Sequence, residues 1–240
     1  MKSIIFIHNR TTSVLVCLNL WTLWVLINMN MFKYIKNQQL VTDRQVATIH
    51  CQNSDQPCNF SQQPHSRFIM MMDGTITFDN SDKISGCFSA SVNTGFNIAG
   101  VGMVIDTPGY LMPDQSITKF TPGILGNLSY IDGCSNSNLI DPPRSGDPCI
   151  NYLYFPSGIN QTFHTHPSYR IGLVLSGCGY AETANDKKVL ETGVMFILER
   201  HTLHRFFTEN SHLSLMVFHP DSEDGPRDEF NPMKSRTYLK

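Results

Sequence analysis

Two histidines and an arginine in the last third of the chain have the types and spacing to hold a metal ion with an acid beside it. His164 and His166 lie one residue apart in "GINQTFHTHPSYRIGLVLSGCG" (158–179), a run that otherwise reads as apolar strand. On a regular strand successive side chains alternate between faces, so His164, His166, Ser168 and Arg170 would share one. Two imidazoles so placed can ligate one ion if a neighbouring strand adds a third ligand. The segment after Gly193 offers His201, His204, His212 and His219 for that role.

The elements that must position these residues read as short strands. From 45 to 66 the chain is polar and rich in Gln, Asn and Ser, an irregular lead-in. "RFIMMMDGTITFDN" places Asp73-Gly74 between two strand-like runs, a strong hairpin signal. "GCFSASVNTGFNIAGVGMVIDTPGYLMP" continues in the same style, and "SYIDGCSNSNLIDPPRSGDPC" reads as a Pro/Gly/Ser/Asp loop. The runs "INYLYFP", "KKVLETGVMFIL", "HRFFTE" and "HLSLMVFHP" follow at short intervals around the histidines. No amphipathic helix longer than about two turns is visible after residue 45. The pattern predicts an all-β fold, a sandwich or small antiparallel barrel.

The histidine run resembles the first motif of the cupin superfamily: Gly, five residues, His-x-His, three or four residues, Glu, six residues, Gly. Gly158, His164, His166 and Gly177 fall in register, with Arg170 where the family has Glu. Gly193 and His204 match the second motif, whereas Glu199, His201 and Thr208 stand at its Pro, Gly and Asn positions. The resemblance covers roughly residues 150 to 220 and implies a cupin-like jelly roll with a metal near its mouth. By position it makes His164, His166 and His204 the ligands. The domain limits then run as an apolar extension over 1–32, the lead-in over 33–66, a cupin-like barrel over 67–220 and a polar tail over 221–240.

Three neutral imidazoles leave a divalent ion its full charge and open positions for water, substrate or dioxygen. A guanidinium aimed straight at that ion would cost several kcal/mol at about 5 Å when poorly solvated. Arg170 must therefore turn to an acid, Glu199 or Glu182, or anchor the carboxylate of a substrate that bridges to the metal. The resemblance implies a mononuclear enzyme, an Fe(II) oxygenase or dioxygenase acting on a small carboxylate- or thiol-containing substrate. Mn, Ni and Zn are the alternative metals. A lyase or isomerase would use the same parts, and a non-catalytic cupin that holds a small ligand is the alternative from another class. Cupins often pair barrels, so a homodimer is expected as a partner state.

Other residues get plainer readings. His201 belongs to a loop, because its parity with His204 is wrong on a strand, and His212 and His219 read as structural or exposed. Tyr154, Phe163 and Met195 read as core, Tyr169 as facing away from Arg170, and Cys178 as a turn or buried thiol. The chain has 240 residues, 16% charged, with a formal net charge of −2. No basic block is present, so a nucleic-acid partner is not expected. No CxxC occurs among the seven cysteines, which argues against a zinc knuckle; Cys51 and Cys58 would close a small loop only in an oxidising compartment. "TTSVLVCLNLWTLWVLINMNMF" carries both tryptophans, Trp21 and Trp24. It reads as a signal anchor, a cleaved signal peptide, or residues upstream of a start at Met29 or Met31. A cytoplasmic location follows from the last reading, and membrane attachment or secretion from the others.

Overall fold

The computed structural model describes residues 38–41 and 46–221. The apolar run over 11–32, Cys17, the first part of the lead-in and nearly all of the polar tail lie outside them. The first sheet contains β1 (Gln38–Val41), β2 (Val46–Phe60), β3 (Arg67–Phe78), β4 (Lys83–Val92), β5 (Phe96–Asp106) and β6 (Ser116–Lys119), in spatial order β1-β2-β5-β3-β4-β6. The second contains β7 (Leu128–Ser129), β8 (Ser135–Ile140), β9 (Cys149–Phe155), β10 (Arg170–Thr183), β11 (Lys187–Glu191), β12 (Met195–Leu198), β13 (His204–Phe207) and β14 (Leu213–His219). Its order is β11-β10-β14-β9-β8-β7, with β12 and β13 also paired to the long β10. Every pairing is antiparallel, and a single 3-10 turn at Ile131–Gly133 is the one helical element among the described residues. This is the all-β fold that the strand pattern predicts, in the jelly-roll form that the resemblance implies.

Period-two alternation sends each strand's apolar residues to two cores. Phe68, Met70, Met103 and Ile105 of the first sheet pack against Tyr152, Ile171, Leu173, Met216 and Phe218 of the second. The opposite faces fill separate interiors: Ile69, Met71, Ile76, Phe96 and Val104 in the N-terminal half, and Phe155, Val174, Phe196, Phe206, Leu215 and Val217 in the C-terminal half. Burial of this order drives the fold at roughly 1.5–3 kcal/mol per large apolar side chain.

Three sequence expectations change. Asp73-Gly74 makes no hairpin turn; β3 runs through it, with the register slipping between Met71 and Gly74 against β4 and between Met71 and Asp73 against β5. Gly74 lies opposite Gly86 on one side and Gly100 on the other. A Cβ on Gly74 would collide with the Ala99 carbonyl and one on Gly100 with the Asp73 carbonyl, so this glycine row is where three strands come close and bend. The polar stretch read as an irregular lead-in forms β2, paired with β5, although residues 53–59 are exposed. The supposed loop at 129–149 contains β8, paired with β9.

Candidate metal centre

The histidine run does not continue β10. Residues 156–169 form a connection that folds alongside β13 through backbone bonds from Thr208 N to Ile159 O (2.8 Å), from Gln161 N to Phe206 O (3.1 Å) and reciprocally between His164 and His204 (2.9 and 3.0 Å). Asn160 lies opposite Phe207, yet His164 lies opposite His204, so one side carries one residue more than the other. That extra residue decides the site. Gln161 is buried against the C-terminal core, and strict alternation would next turn Phe163 inward; the bulge turns His164 inward and leaves Phe163 39% exposed. The freed amide of Thr162 is taken by Asp132 Oδ2 at 2.6 Å.

His164, His166 and His204 come together with one ligand atom of each within 4.8 Å of the others. Their ring centroids are 4.4–5.1 Å apart. His164 Nδ1 pairs with the Thr162 carbonyl at 2.9 Å and His204 Nδ1 with the Thr202 carbonyl at 2.7 Å. A carbonyl only accepts, so each Nδ1 carries the proton and each Nε2 keeps its lone pair. His204 Nε2 is buried without a hydrogen-bond partner. Those lone pairs are free to serve as ligands. Burial first, then Arg170 and the neighbouring imidazoles, pushes His166 down to about 3. Burial also brings His204 down to about 4, partly opposed by its bond to Thr202. Both are neutral near pH 7, the form a metal requires. The donor set fits a divalent ion.

Arg170 opens β10 and is 8% exposed. Its Nη1 donates to the carbonyls of Ser168 (3.2 Å) and Tyr169 (3.0 Å) and to Ser168 Oγ, which itself donates to Asp221 Oδ1 at 2.7 Å. Neither expected acid is its partner. Glu182 is engaged by Arg205 at 2.6 Å, and Glu199 has its carboxyl pushed up by burial. Arg170 Nε is buried with no partner.

A cavity of about 100 Å³ lies in the C-terminal interior. Phe155, Phe196, Leu198 and Val217 line it, together with His164, His166, Arg170 and His219. That space takes several waters or one compact molecule. His219, read from the sequence as structural or exposed, therefore faces the site, and its buried Nε2 has no partner. The signal was present: Leu213, Leu215, Val217 and His219 alternate along β14 onto one face. His201 is exposed on the turn between β12 and β13, with its amide bonded to the His166 carbonyl at 2.8 Å. His212 contacts Ser176 Oγ at 3.0 Å, outside the cavity lining. All six described cysteines are free thiols, and burial pushes Cys134 and Cys149 up to about 11, away from nucleophilic use.

No helix among the described residues is long and apolar enough to cross a membrane. No family model matches the sequence, and no curated protein matches it. Solved structures do match in fold. A cupin 2 conserved barrel domain protein from Leptotrichia buccalis superposes with a TM-score of 0.55 at 13% identity, over 82% of this chain and 93% of its own. A DUF861-family protein of unknown function from Pseudomonas syringae gives 0.53 at 13%, over 75% and 84%. A salicylate 1,2-dioxygenase from Pseudaminobacter salicylatoxidans gives 0.54 at 9%, over 77% and 76%. These shares exceed what the motif-bearing half alone could supply, so the likeness includes the N-terminal sheet, and the chain has the cupin fold.

Proposed function

We propose that this chain is a mononuclear metal-dependent enzyme in which His164, His166 and His204 hold one divalent ion. Iron(II) is the first choice of metal, with manganese, nickel and zinc as alternatives. The reaction proposed is oxygenation of a small substrate bearing a carboxylate or thiol. The carrying observation is the convergence of three buried or half-buried imidazoles, two of which, His164 and His204, have their Nδ1 protons committed to backbone carbonyls. A bound ion would supply Lewis acidity and open positions for substrate and dioxygen. The protein's part is to orient and to exclude water. Arg170 offers its unpaired Nε to the acid group, and Phe155, Phe196 and Phe206 dry the wall. A salicylate 1,2-dioxygenase structure with this fold is described with gentisate, a small acid, which supports the substrate class.

A second reading, a cupin that holds a small ligand without turnover, is favoured by Arg170 itself, which stands at the motif's Glu position and spends Nη1 on the protein. Anaerobic reconstitution with iron(II), elemental analysis and oxygen consumption on small carboxylates and thiols separate the readings. The wild type should hold about one metal per chain, and His164→Ala or His204→Ala should lose it while keeping a β circular-dichroism spectrum. Absence of stoichiometric metal in the wild type overturns the ligand assignment. Metal without any oxygen consumption shifts the chain to the binding reading.

A further inference from the structure

Among the described residues the cavity lining contains no carboxylate: its charged member is Arg170, and its other polar members are amides, imidazoles and Tyr130. Arg170 is felt electrostatically at His166, His204 and His219. Its acidic partner Asp221 acts on it by charge and is hydrogen-bonded to it through Ser168. An ion held by the three histidines would thus share a small cavity with a guanidinium whose acidic partner, Asp221, is not among the lining residues. Like charges in such a space disfavour one another, and one anion between them relieves both.

Two buried nitrogens show where that anion would sit. Arg170 Nε and His219 Nε2 both belong to residues lining the cavity, and both lack a partner. Leaving such groups unpaired costs free energy that a ligand's oxygens would restore. The strands set them side by side: Ile171 of β10 pairs with Phe218 of β14, which puts Arg170 and His219 next to each other at the end of that ladder. Burial and the Arg170 charge hold His219 neutral. A neutral imidazole adds a hydrogen bond to an acid oxygen without a further positive charge beside the ion.

We propose that a divalent metal and a small carboxylate bind this cavity cooperatively, with His219 and Arg170 together forming the seat for the acid. The proposal rests on the metal assignment above, and its test separates the two. Reciprocity is built in: whatever factor the acid adds to metal affinity, the metal adds to acid affinity.

The experiment is calorimetric titration of the full chain with cobalt(II), with and without propionate, which chelates free metal only weakly. In the wild type, propionate should tighten cobalt binding about tenfold. Arg170→Gln should bind cobalt more tightly than wild type without propionate, because a like charge is gone, and should show almost no response to propionate. A merely structural arginine would not produce that pair of changes. His219→Phe should lose most of the propionate response, and His219→Gln, which keeps a polar tip, should recover part of it. Cobalt bound equally well with and without propionate overturns the cooperativity and leaves the metal centre standing. Cobalt not bound under either condition overturns both.

Discussion

Among the described residues, two groups of charged and imidazole side chains are buried or half-buried, one in each half, and only one is complete. In the N-terminal half, Asp106 at the end of β5 meets His50 of β2 at 2.8 Å, His65 at 3.1 Å and Arg67 Nε of β3 at 2.6 Å. Arg67 Nη1 continues to the Ser61 carbonyl at 2.5 Å, and its guanidinium lies 5.3 Å from the centre of the Phe60 ring. In the C-terminal half, Arg170 Nε, His204 Nε2 and His219 Nε2 are buried and unpaired, with no carboxylate in the cavity lining they share or adjoin. Folding completes the first group. It leaves the second with unpaired atoms, at a cost of about 1–3 kcal/mol each when desolvated. Electrostatics that folding closes hold structure together, and electrostatics that folding leaves open await a ligand.

Removing a member of each group tests the contrast. Asp106→Ala strands Arg67 in the interior and should cost about 3–5 kcal/mol in urea unfolding. His219→Leu removes an orphan nitrogen and keeps apolar bulk, so its stability should stay within about 1 kcal/mol of wild type. Equal losses in the two variants would erase the distinction.

Acid sharpens it further. Burial pushes the Asp106 carboxyl up, but hydrogen bonds from His50, Arg67 and His65 and the Arg67 charge outweigh burial and hold it well below the usual carboxylate range. A carboxylate whose pKa is depressed by folding contributes stability that is full above its unfolded value, about 3.9, and is lost as pH falls through the lower folded value. Unfolding midpoints measured across that window should drop for wild type and change less for Asp106→Asn. A drop of the same size in both would assign the acid sensitivity to other carboxylates.

The legibility of the molecule in its sequence follows from what periodicity can carry. Gly158, His164, His166, Gly177, Gly193 and His204 were readable by spacing. Gly177 shows why such a glycine stands there: it adopts φ +79, and a Cβ would collide with the His212 carbonyl. Strands with one apolar face, such as "HLSLMVFHP", were readable too. What failed was register. The bulge at Gly74 and the extra residue before His164 each shift every later side chain to the other face, and no local composition announces them. β2 was hidden because its exposed stretch offers no apolar alternation. The partners of Arg170 were hidden because Ser168 and Asp221 are 53 residues apart and meet only in the fold.

The smallest effect should come from Asp132, which no motif marks. It sits at φ +54 in the turn after β7 and bonds to both the amide and the hydroxyl of Thr162, at 2.6 and 3.3 Å. The carbonyl of that same Thr162 orients the His164 ring through Nδ1. Asp132 thus fixes the bulge that turns His164 inward, and it does so without touching the cavity. Groups behind a ligand's own hydrogen-bond partner tune affinity less than the partner does, for which losses run about 10–100-fold. Asp132→Ala should therefore weaken cobalt binding a few-fold and leave the response to propionate intact, because the Asp132 carboxylate bonds to Thr162 and not to Arg170 or His219. Asp132→Asn, which keeps an acceptor for the Thr162 amide, should restore most of the affinity. A variant that lost the propionate response along with its metal would show that the bulge positions the acid seat as well as His164.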